Sequence, residues 1–168
     1  EGYNPQQLTN EYIENLTKSA PLHDIGKVHI SDTILNKPGK LTPEEFSIMK
    51  THTIIGGKIL LNALKGIEGS TYLSMAIDLA TYHHERWDGK GYPTGLVGKD
   101  IPLCARIMAV ADVFDALISK RSYKEGFPFD DAVKMIVEES GTHFDPDVVE
   151  AFVSITPQIR EIAADEQV

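Results

Sequence analysis

Residues 72–93 read YLSMAIDLATYHHERWDGKGYP, in which an apolar helical stretch runs directly into two adjacent histidines. The apolar side chains of this stretch recur at the spacing of one helical face, and they are Leu73, Ala76, Ile77 and Ala80. The helix predicted over residues 72–84 therefore carries His83 and His84 at its C-terminal end. Many glycines and prolines follow between Trp87 and Pro102, and they predict an exposed, shaped loop.

Helical patterns continue on both sides of this stretch, whereas no segment shows the polar–apolar alternation that is typical of a strand. Thr42 is a typical N-cap, followed by Pro43 in the first turn and by Glu45 in the position that completes a capping box. The further predicted helices span residues 8–20, 42 to about 64, 102 to about 119, 129–140, from 145 onward, and 159–164. The fold class predicted from these patterns is all-α.

Two helices of this prediction carry polar groups on apolar surfaces. The helix from Thr42 has an apolar stripe, and His52 lies on the same inward side; the stripe consists of Phe46, Met49, Ile55, Ile59 and Leu60. The helix from Pro102 is so apolar that it should be buried nearly all round, yet it contains Asp112. A buried carboxylate is costly unless it is paired or bound to a metal ion.

Glycine and proline set two further expectations. Gly56 and Gly57 inside a helix would lower its stability unless another backbone packs closely against them. Pro21 should interrupt the first helix just before His23, and Gly26 should end that helical segment.

A set of metal-ligand residues is scattered over these segments: His23, Asp24, His52, His83, His84 and Asp112. Neutral imidazole and carboxylate suit divalent metals such as iron, manganese, zinc or nickel. Taken alone, His52 is more often a core histidine, and Asp112 is equally well explained by pairing between helices. Metal binding explains the whole set at once, and the Asp24 carboxylate next to His23 is able to bridge two metal ions.

Two bridged metal ions suit the hydrolysis of a phosphodiester, because they polarise phosphoryl oxygens and lower the pKa of a bound water. Lys27 lies one turn after Asp24 and could reach a phosphate oxygen or assist a leaving group. Arg121 and Lys124 follow the Asp112 helix, and both side chains suit phosphate binding. Solvated surface positions are the alternative interpretation of all three cations.

Composition limits the possible functions. The 168 residues carry a net charge of −9, which argues against a binder of nucleic acid polymers or of anionic membranes. No run of apolar residues is long enough to span a membrane. Cys104 is the single cysteine, so no internal disulfide and no thiolate metal cluster can form, and a reducing, cytoplasmic setting is expected.

Three segments carry a resemblance to a known family: HDIGK at residues 23–27, HHERWDGKGYP at 83–93 and ADVFDAL at 111–117. They closely resemble the HD-GYP family of cyclic di-GMP phosphodiesterases, and the similarity extends from about residue 11 to residue 152. The chain looks most like family members that are fused to a response-regulator receiver domain.

The resemblance implies an HD-domain helical bundle with an exposed Gly-Tyr-Pro loop, which hydrolyses cyclic di-GMP to pGpG, GMP or both. It implies two or three divalent metal ions, iron or manganese, with Asp24 and Lys27 in catalytic roles. The implied metal ligands are His23, Asp24, His52, His83, His84 and Asp112. The implied nucleotide contacts are Tyr92, Asp115, Arg121 and Lys124. It also implies docking of diguanylate cyclase domains on the loop around Tyr92.

One departure from the family concerns the first helix. Family members carry an upstream helix with a further histidine ligand, but the residues before His23 contain no histidine. We therefore expect residues 1–168 to form a single domain that lacks its first helix, with a receiver or sensor domain upstream. We also expect an incomplete metal site and apolar surface at Phe46, Ile55, Ile107 and Phe114 that favours a homo-oligomer.

Two other functions stay open on the residues alone. The chain could be another HD phosphohydrolase that acts on nucleoside monophosphates or triphosphates. It could also be a module that binds cyclic di-GMP, or docks cyclases, without turnover.

Overall fold

The structure, a computed structural model, describes residues 8–65, 70–119 and 126–165. These residues contain eight α-helices, and no strand occurs among them. The helices are α1 (Asn10–Ser19), α2 (Asp32–Leu35), α3 (Pro43–Leu64), α4 (Thr71–Tyr82), α5 (Leu103–Ile118), α6 (Phe129–Glu138), α7 (Pro146–Ser154) and α8 (Thr156–Asp165). The predicted all-α class is confirmed.

Helix α3 begins where the sequence predicts it. The Thr42 hydroxyl accepts a hydrogen bond from the Glu45 backbone N–H at 3.2 Å. The Glu45 carboxylate in turn accepts one from the Thr42 N–H at 2.7 Å. Both bonds satisfy N–H groups that have no partner inside the helix, so this capping box fixes the start of α3.

The segment around His23 differs from its prediction. Two short 3₁₀ helices, Ala20–Leu22 and Ile25–His29, follow α1, so Gly26 lies inside a helical turn and does not end it. The reason is a close approach to α3: a Cβ atom on Gly26 would lie 1.9 Å from the carbonyl oxygen of His52. Facing it, a Cβ on Gly56 would lie 3.2 Å from the Gly26 nitrogen, which confirms the expected backbone contact at that glycine. These two glycines bring the His23–Asp24 turn against the helix of His52.

Three apolar clusters join the helices. The largest lies between α5, α6 and α7 around Phe114, Ile136 and Phe152. A second joins α3 and α4 through Leu60 and Ala76, and a third, around Leu79, Met75 and Cys104, packs α4 on α5 and α1. Helix α4 takes part in two of these clusters, so its C-terminal end is firmly placed in the middle of the molecule.

Helix α5 is not buried all round. Ala111 and Asp115 are exposed on it, because the neighbouring helices cover its other sides. An apolar groove of about 830 Å³ runs between α5, α7 and α8, and Ile107, Phe114 and Ile159 line it. Apolar surface is expected at Ile107 and Phe114; both line this groove, but Phe114 is only 5% exposed and belongs to the core.

Candidate metal centre

Three histidines at the centre are oriented by the same local bond. The Nδ1 atoms of His23, His52 and His83 lie 2.6, 2.7 and 2.8 Å from the carbonyl oxygens of Ala20, Met49 and Leu79, each within one turn upstream. A carbonyl oxygen only accepts, so each Nδ1 carries the hydrogen and donates it. In the neutral rings of His52 and His83, the Nε2 atom is left with a lone pair, which is the arrangement of a metal-ligating histidine.

These lone pairs converge on one carboxylate. The Nε2 atoms of His52 and His83 lie 3.4 Å apart. The Oδ1 atom of Asp24 lies 3.4 Å from His52 Nε2 and 3.7 Å from His83 Nε2. This Oδ1 is buried and has no hydrogen-bond partner among the described residues. Three electron-pair donors that face each other without a hydrogen between them repel, and a cation among them removes that repulsion. The donor set therefore fits a divalent metal ion.

The two oxygens of Asp24 face different neighbours. While Oδ1 faces His52 and His83, Oδ2 lies 3.4 Å from His23 Nε2 and 2.6 Å from the Lys27 ammonium. The Oδ1 atom of Asp112 approaches His23 from α5, at 3.7 Å from Nε2. Ligand atoms within 4.8 Å of one another form two groups that share one imidazole: His52, His83 and His84, and His23, Asp24 and His83.

Burial and charge set the protonation of the centre. Burial lowers the pKa of His83 to about 4. Burial, followed by the neighbouring His83, lowers the pKa of His84 to about 3, so both rings are neutral at pH 7. Burial also lowers the pKa of His23, but the carboxylates of Asp112 and Asp24 outweigh it and raise that pKa to about 10. Despite its burial, Asp24 has a pKa well below its usual range, since His23 and Lys27 donate to it.

These protonation states make metal binding dependent on pH. With its pKa of about 10, His23 carries a proton at pH 7 in the metal-free protein, and metal and proton compete for its Nε2. Raising the pH from 7 to 8.5 weakens this competition, because the fraction of deprotonated His23 rises with pH below its pKa. We expect the affinity for Mn²⁺ to rise by about tenfold per pH unit over this range.

Calorimetric titration with Mn²⁺, in buffers of different ionisation enthalpy, measures the affinity and the number of protons released. About one proton should be released per site occupied at His23. In His23→Gln, the matched control, the affinity should be lower and nearly independent of pH in this range. An affinity for Mn²⁺ that is the same at pH 7 and pH 8.5 in the unaltered protein would contradict this assignment.

Tyr92 closes one side of the centre. Its ring stacks on His84, with the ring centroids 4.9 Å apart and the planes at 26°. Burial, and then the nearby Asp112 and Asp24, raise the pKa of the Tyr92 hydroxyl above its usual value, so that hydroxyl keeps its proton. The residue that the resemblance assigns to the nucleotide therefore lies directly against one of the predicted metal ligands.

Of the other predicted nucleotide contacts, only Asp115 lies within the described residues. Asp115 is exposed on α5, one turn beyond Asp112, and accepts a hydrogen bond from Ser119 at 3.4 Å. Arg121 and Lys124 lie outside the described residues. Lys27 is half-buried beside Asp24, which is the position predicted for it.

Sequence reasoning missed Glu85, the residue that holds the loop in place. Its side chain is 2% exposed although it is charged. One carboxylate oxygen accepts from the backbone N–H and the hydroxyl of Thr94, both at 2.7 Å. The other accepts from the N–H groups of Gly95 at 3.0 Å and Leu96 at 3.1 Å. The only signal in the sequence is an acidic residue directly before a glycine-rich loop, and that signal does not say which backbone groups it binds.

The chain is similar to several known phosphodiesterases. A cyclic di-GMP phosphodiesterase of Vibrio cholerae is 55% identical over 157 residues, which cover 94% of this chain and 32% of the relative. The cyclic di-GMP phosphodiesterase response regulator RpfG of Xanthomonas campestris is 44% identical, over 92% of this chain and 40% of its own length. The crystal structure of a cyclic GMP-AMP specific phosphodiesterase of Vibrio cholerae superposes with a TM-score of 0.61, at 21% identity and over 93% of this chain and 40% of that one, which shows a shared fold.

The helices and the His/Asp cluster together define the class, an all-α domain that binds divalent metal ions. The chain belongs to the HD domain family, whose pattern it matches over residues 4–148. The relatives confirm the resemblance to cyclic di-GMP phosphodiesterases, and the chain spans less than half the length of these curated relatives. Among the described helices, none combines the length and the hydrophobicity that crossing a membrane requires.

Proposed function

We propose that this chain is the catalytic domain of a metal-dependent phosphodiesterase that hydrolyses cyclic di-GMP to pGpG, GMP or both, in bacterial second-messenger signalling. The observation that carries the proposal is the convergence of unprotonated Nε2 atoms and the unpartnered Asp24 Oδ1 in one buried centre. A relative that is 55% identical and is named a cyclic di-GMP phosphodiesterase supports the choice of substrate.

In this proposal two or three divalent ions, iron or manganese, occupy the centre. His52, His83 and His84 would hold one, His23 and Asp112 would hold another, and Asp24 would bridge them. When bound, such ions supply Lewis-acid polarisation of the phosphoryl oxygens and lower the pKa of the attacking water. Nε2 lone pairs that are already oriented favour this role, because the rings need not reorient to bind.

The protein's own groups then act on the nucleotide. Hydrolysis adds the water oxygen to phosphorus, breaks the bond from phosphorus to the ribose oxygen, and transfers a proton to that leaving oxygen. Lys27 is the proposed source of that proton, because its ammonium is held 2.6 Å from Asp24 at the edge of the centre. Arg121 and Lys124 are proposed to bind phosphate, and Tyr92 and Asp115 to contact the nucleotide.

The wider setting is also part of the proposal. A single cysteine fits a reducing compartment, and the reaction is assigned to the cytoplasm. Residues 1–168 are proposed to form one domain that works with an upstream receiver or sensor domain. Diguanylate cyclase domains are the proposed partners of the loop around Tyr92, and association of two copies is a further proposed property.

The test is product formation by the metal-loaded full-length protein. Incubation with cyclic di-GMP, in parallel with Fe²⁺ under anaerobic conditions and with Mn²⁺, should give pGpG or GMP on chromatography. Binding of cyclic di-GMP without product from either metal would favour a module without turnover. Faster hydrolysis of a nucleoside monophosphate or triphosphate than of cyclic di-GMP would favour another HD phosphohydrolase.

Arg121→Ala should separate substrate binding from metal binding. Loss of a charge-assisted contact to phosphate is worth about 1.5–3 kcal/mol, so we expect KM for cyclic di-GMP to rise by roughly 10- to 150-fold. Metal content, measured by mass spectrometry of the dialysed protein, should be unchanged. Arg121→Lys, the matched control, keeps the charge and should lose less affinity. A variant that loses metal instead would contradict the role assigned to Arg121.

A further inference from the structure

Phe46 on α3 is exposed where an apolar stripe predicts burial. Its side chain is 47% exposed, which agrees with the apolar surface expected at this residue, although Phe46 belongs to the apolar stripe of α3. Phe46 lies at the start of α3, and its aromatic neighbour is Tyr92 on the loop that follows α4. The Phe46 and Tyr92 rings meet edge to face, with centroids 6.2 Å apart and planes at 86°. Since Tyr92 stacks on His84, only one ring separates the open Phe46 ring from the metal centre.

Lys50 lies one turn further along α3 and completes this surface. Its ammonium stands 5.4 Å from the centroid of the Phe46 ring and 5.9 Å from that of Tyr92. No ion pair joins Lys50 to a carboxylate in the described parts of the chain, although the whole chain has a net charge of −9. The two rings orient this cation beside the centre and leave its charge available for an anion.

An open aromatic face next to a fixed cation has the chemistry of a nucleotide site. Stacking of a base on an aromatic side chain is worth about 1–3 kcal/mol, and the adjoining phosphate is attracted by the lysine. We propose that Phe46 and Lys50, together with Tyr92, form the wall that binds one purine base of the substrate and the phosphate next to it. This inference rests on the proposed function and adds two residues on α3 to the site.

The test compares two probes that differ only in the base. GMP carries a purine and a phosphate, whereas ribose 5-phosphate carries the same phosphate without the base. In the metal-loaded full-length protein, Phe46→Leu should weaken calorimetric binding of GMP by about 5- to 150-fold, the range of base stacking, and leave ribose 5-phosphate unchanged. Lys50→Gln should weaken both probes by a similar factor, because it removes the contact to phosphate.

Matched variants control for indirect effects. Phe46→Tyr keeps a ring and should bind GMP nearly as well as the unaltered protein, and Lys50→Arg keeps the charge. Ile48→Ala changes an exposed residue of α3 that lies two positions along the helix and does not face the wall, so it should alter neither probe. All variants should retain the metal content and melting temperature of the unaltered protein.

The outcomes separate this wall from the proposed function. With cyclic di-GMP as substrate, Phe46→Leu should raise KM and change kcat by less than about twofold. If the ratio of GMP affinity to ribose 5-phosphate affinity is unchanged in Phe46→Leu, the proposal that Phe46 binds the base is refuted, even if cyclic di-GMP is hydrolysed. Conversely, if the protein prefers GMP in a Phe46-dependent way and yet does not hydrolyse cyclic di-GMP, that result supports the base-binding role of Phe46 and refutes the proposed reaction.

Discussion

Asp24→Ala is expected to remove both bound metal and turnover. The carboxylate faces His52 and His83 through one oxygen and His23 through the other, at 3.4 to 3.7 Å, so a methyl group cannot replace it on either side. Outer partners of metal ligands already contribute 10- to 100-fold to affinity, so loss of a ligand placed between two groups should exceed about 100-fold. Metal analysis after dialysis and chromatographic detection of pGpG or GMP measure the two losses.

Asp24→Asn is the matched control for shape. It keeps the size of the side chain and one carbonyl oxygen, but it loses the negative charge that faces His23 and Lys27. We expect it to fold normally and to retain part of the metal, with turnover still strongly reduced. Full metal occupancy in Asp24→Ala would refute the bridging role of this carboxylate.

Glu85→Ala should strongly destabilise the domain. The substitution removes the acceptor for three backbone N–H groups, those of Thr94, Gly95 and Leu96. Each buried donor left without a partner costs about 1–3 kcal/mol, and water reaching part of the loop reduces the sum, so we expect unfolding free energy to fall by roughly 3 kcal/mol. Urea unfolding measures this loss.

A second measurement locates the effect of Glu85 in the loop. Hydrogen exchange at the amides of residues 94–96 should become faster in Glu85→Ala, while exchange in α4 changes only with global stability. Glu85→Gln keeps one oxygen but points an NH₂ group at the remaining donors, so it should lie between the alanine variant and the unaltered protein. Normal protection of these amides in Glu85→Ala would show that the loop is held by other contacts.

Local signals explain which parts of the fold were predictable. The start of α3 follows from Thr42, Pro43 and Glu45, which lie within four residues of one another and interact within one turn. The apolar neighbours of His52 in the helix predict that it faces inward, and the structure confirms this with a side chain that is 1% exposed. Such features depend on short-range spacing, which a sequence displays directly.

Features that depend on distant segments were not predictable in the same way. Phe46 shares the helical face of Met49, yet periodicity does not say that the core ends before the first turn of α3. A glycine at position 26 predicts the end of a helix. That prediction is wrong because Gly26 contacts the carbonyl of His52, a residue far away in the chain that local patterns do not reveal. The role of Glu85 depends on the path of a ten-residue loop. The roles of Arg121 and Lys124 remain predictions, since both lie outside the described residues.

The hydrogen bonds from Nδ1 to backbone carbonyls have a consequence for how the protein acquires its ions. The backbone carbonyls one turn upstream orient the rings of His23, His52 and His83. These ligands of the proposed metal site are therefore positioned by folding and not by the ion. Removal of the ion by a chelator should then abolish the proposed phosphodiesterase activity while the protein stays folded. Adding back a divalent cation should restore that activity within the time of diffusion and ligand exchange. A metal site that is formed before the ion binds takes whichever suitable ion is abundant. Under the proposed function, the cell's supply of transition metals would then limit the rate at which cyclic di-GMP is hydrolysed.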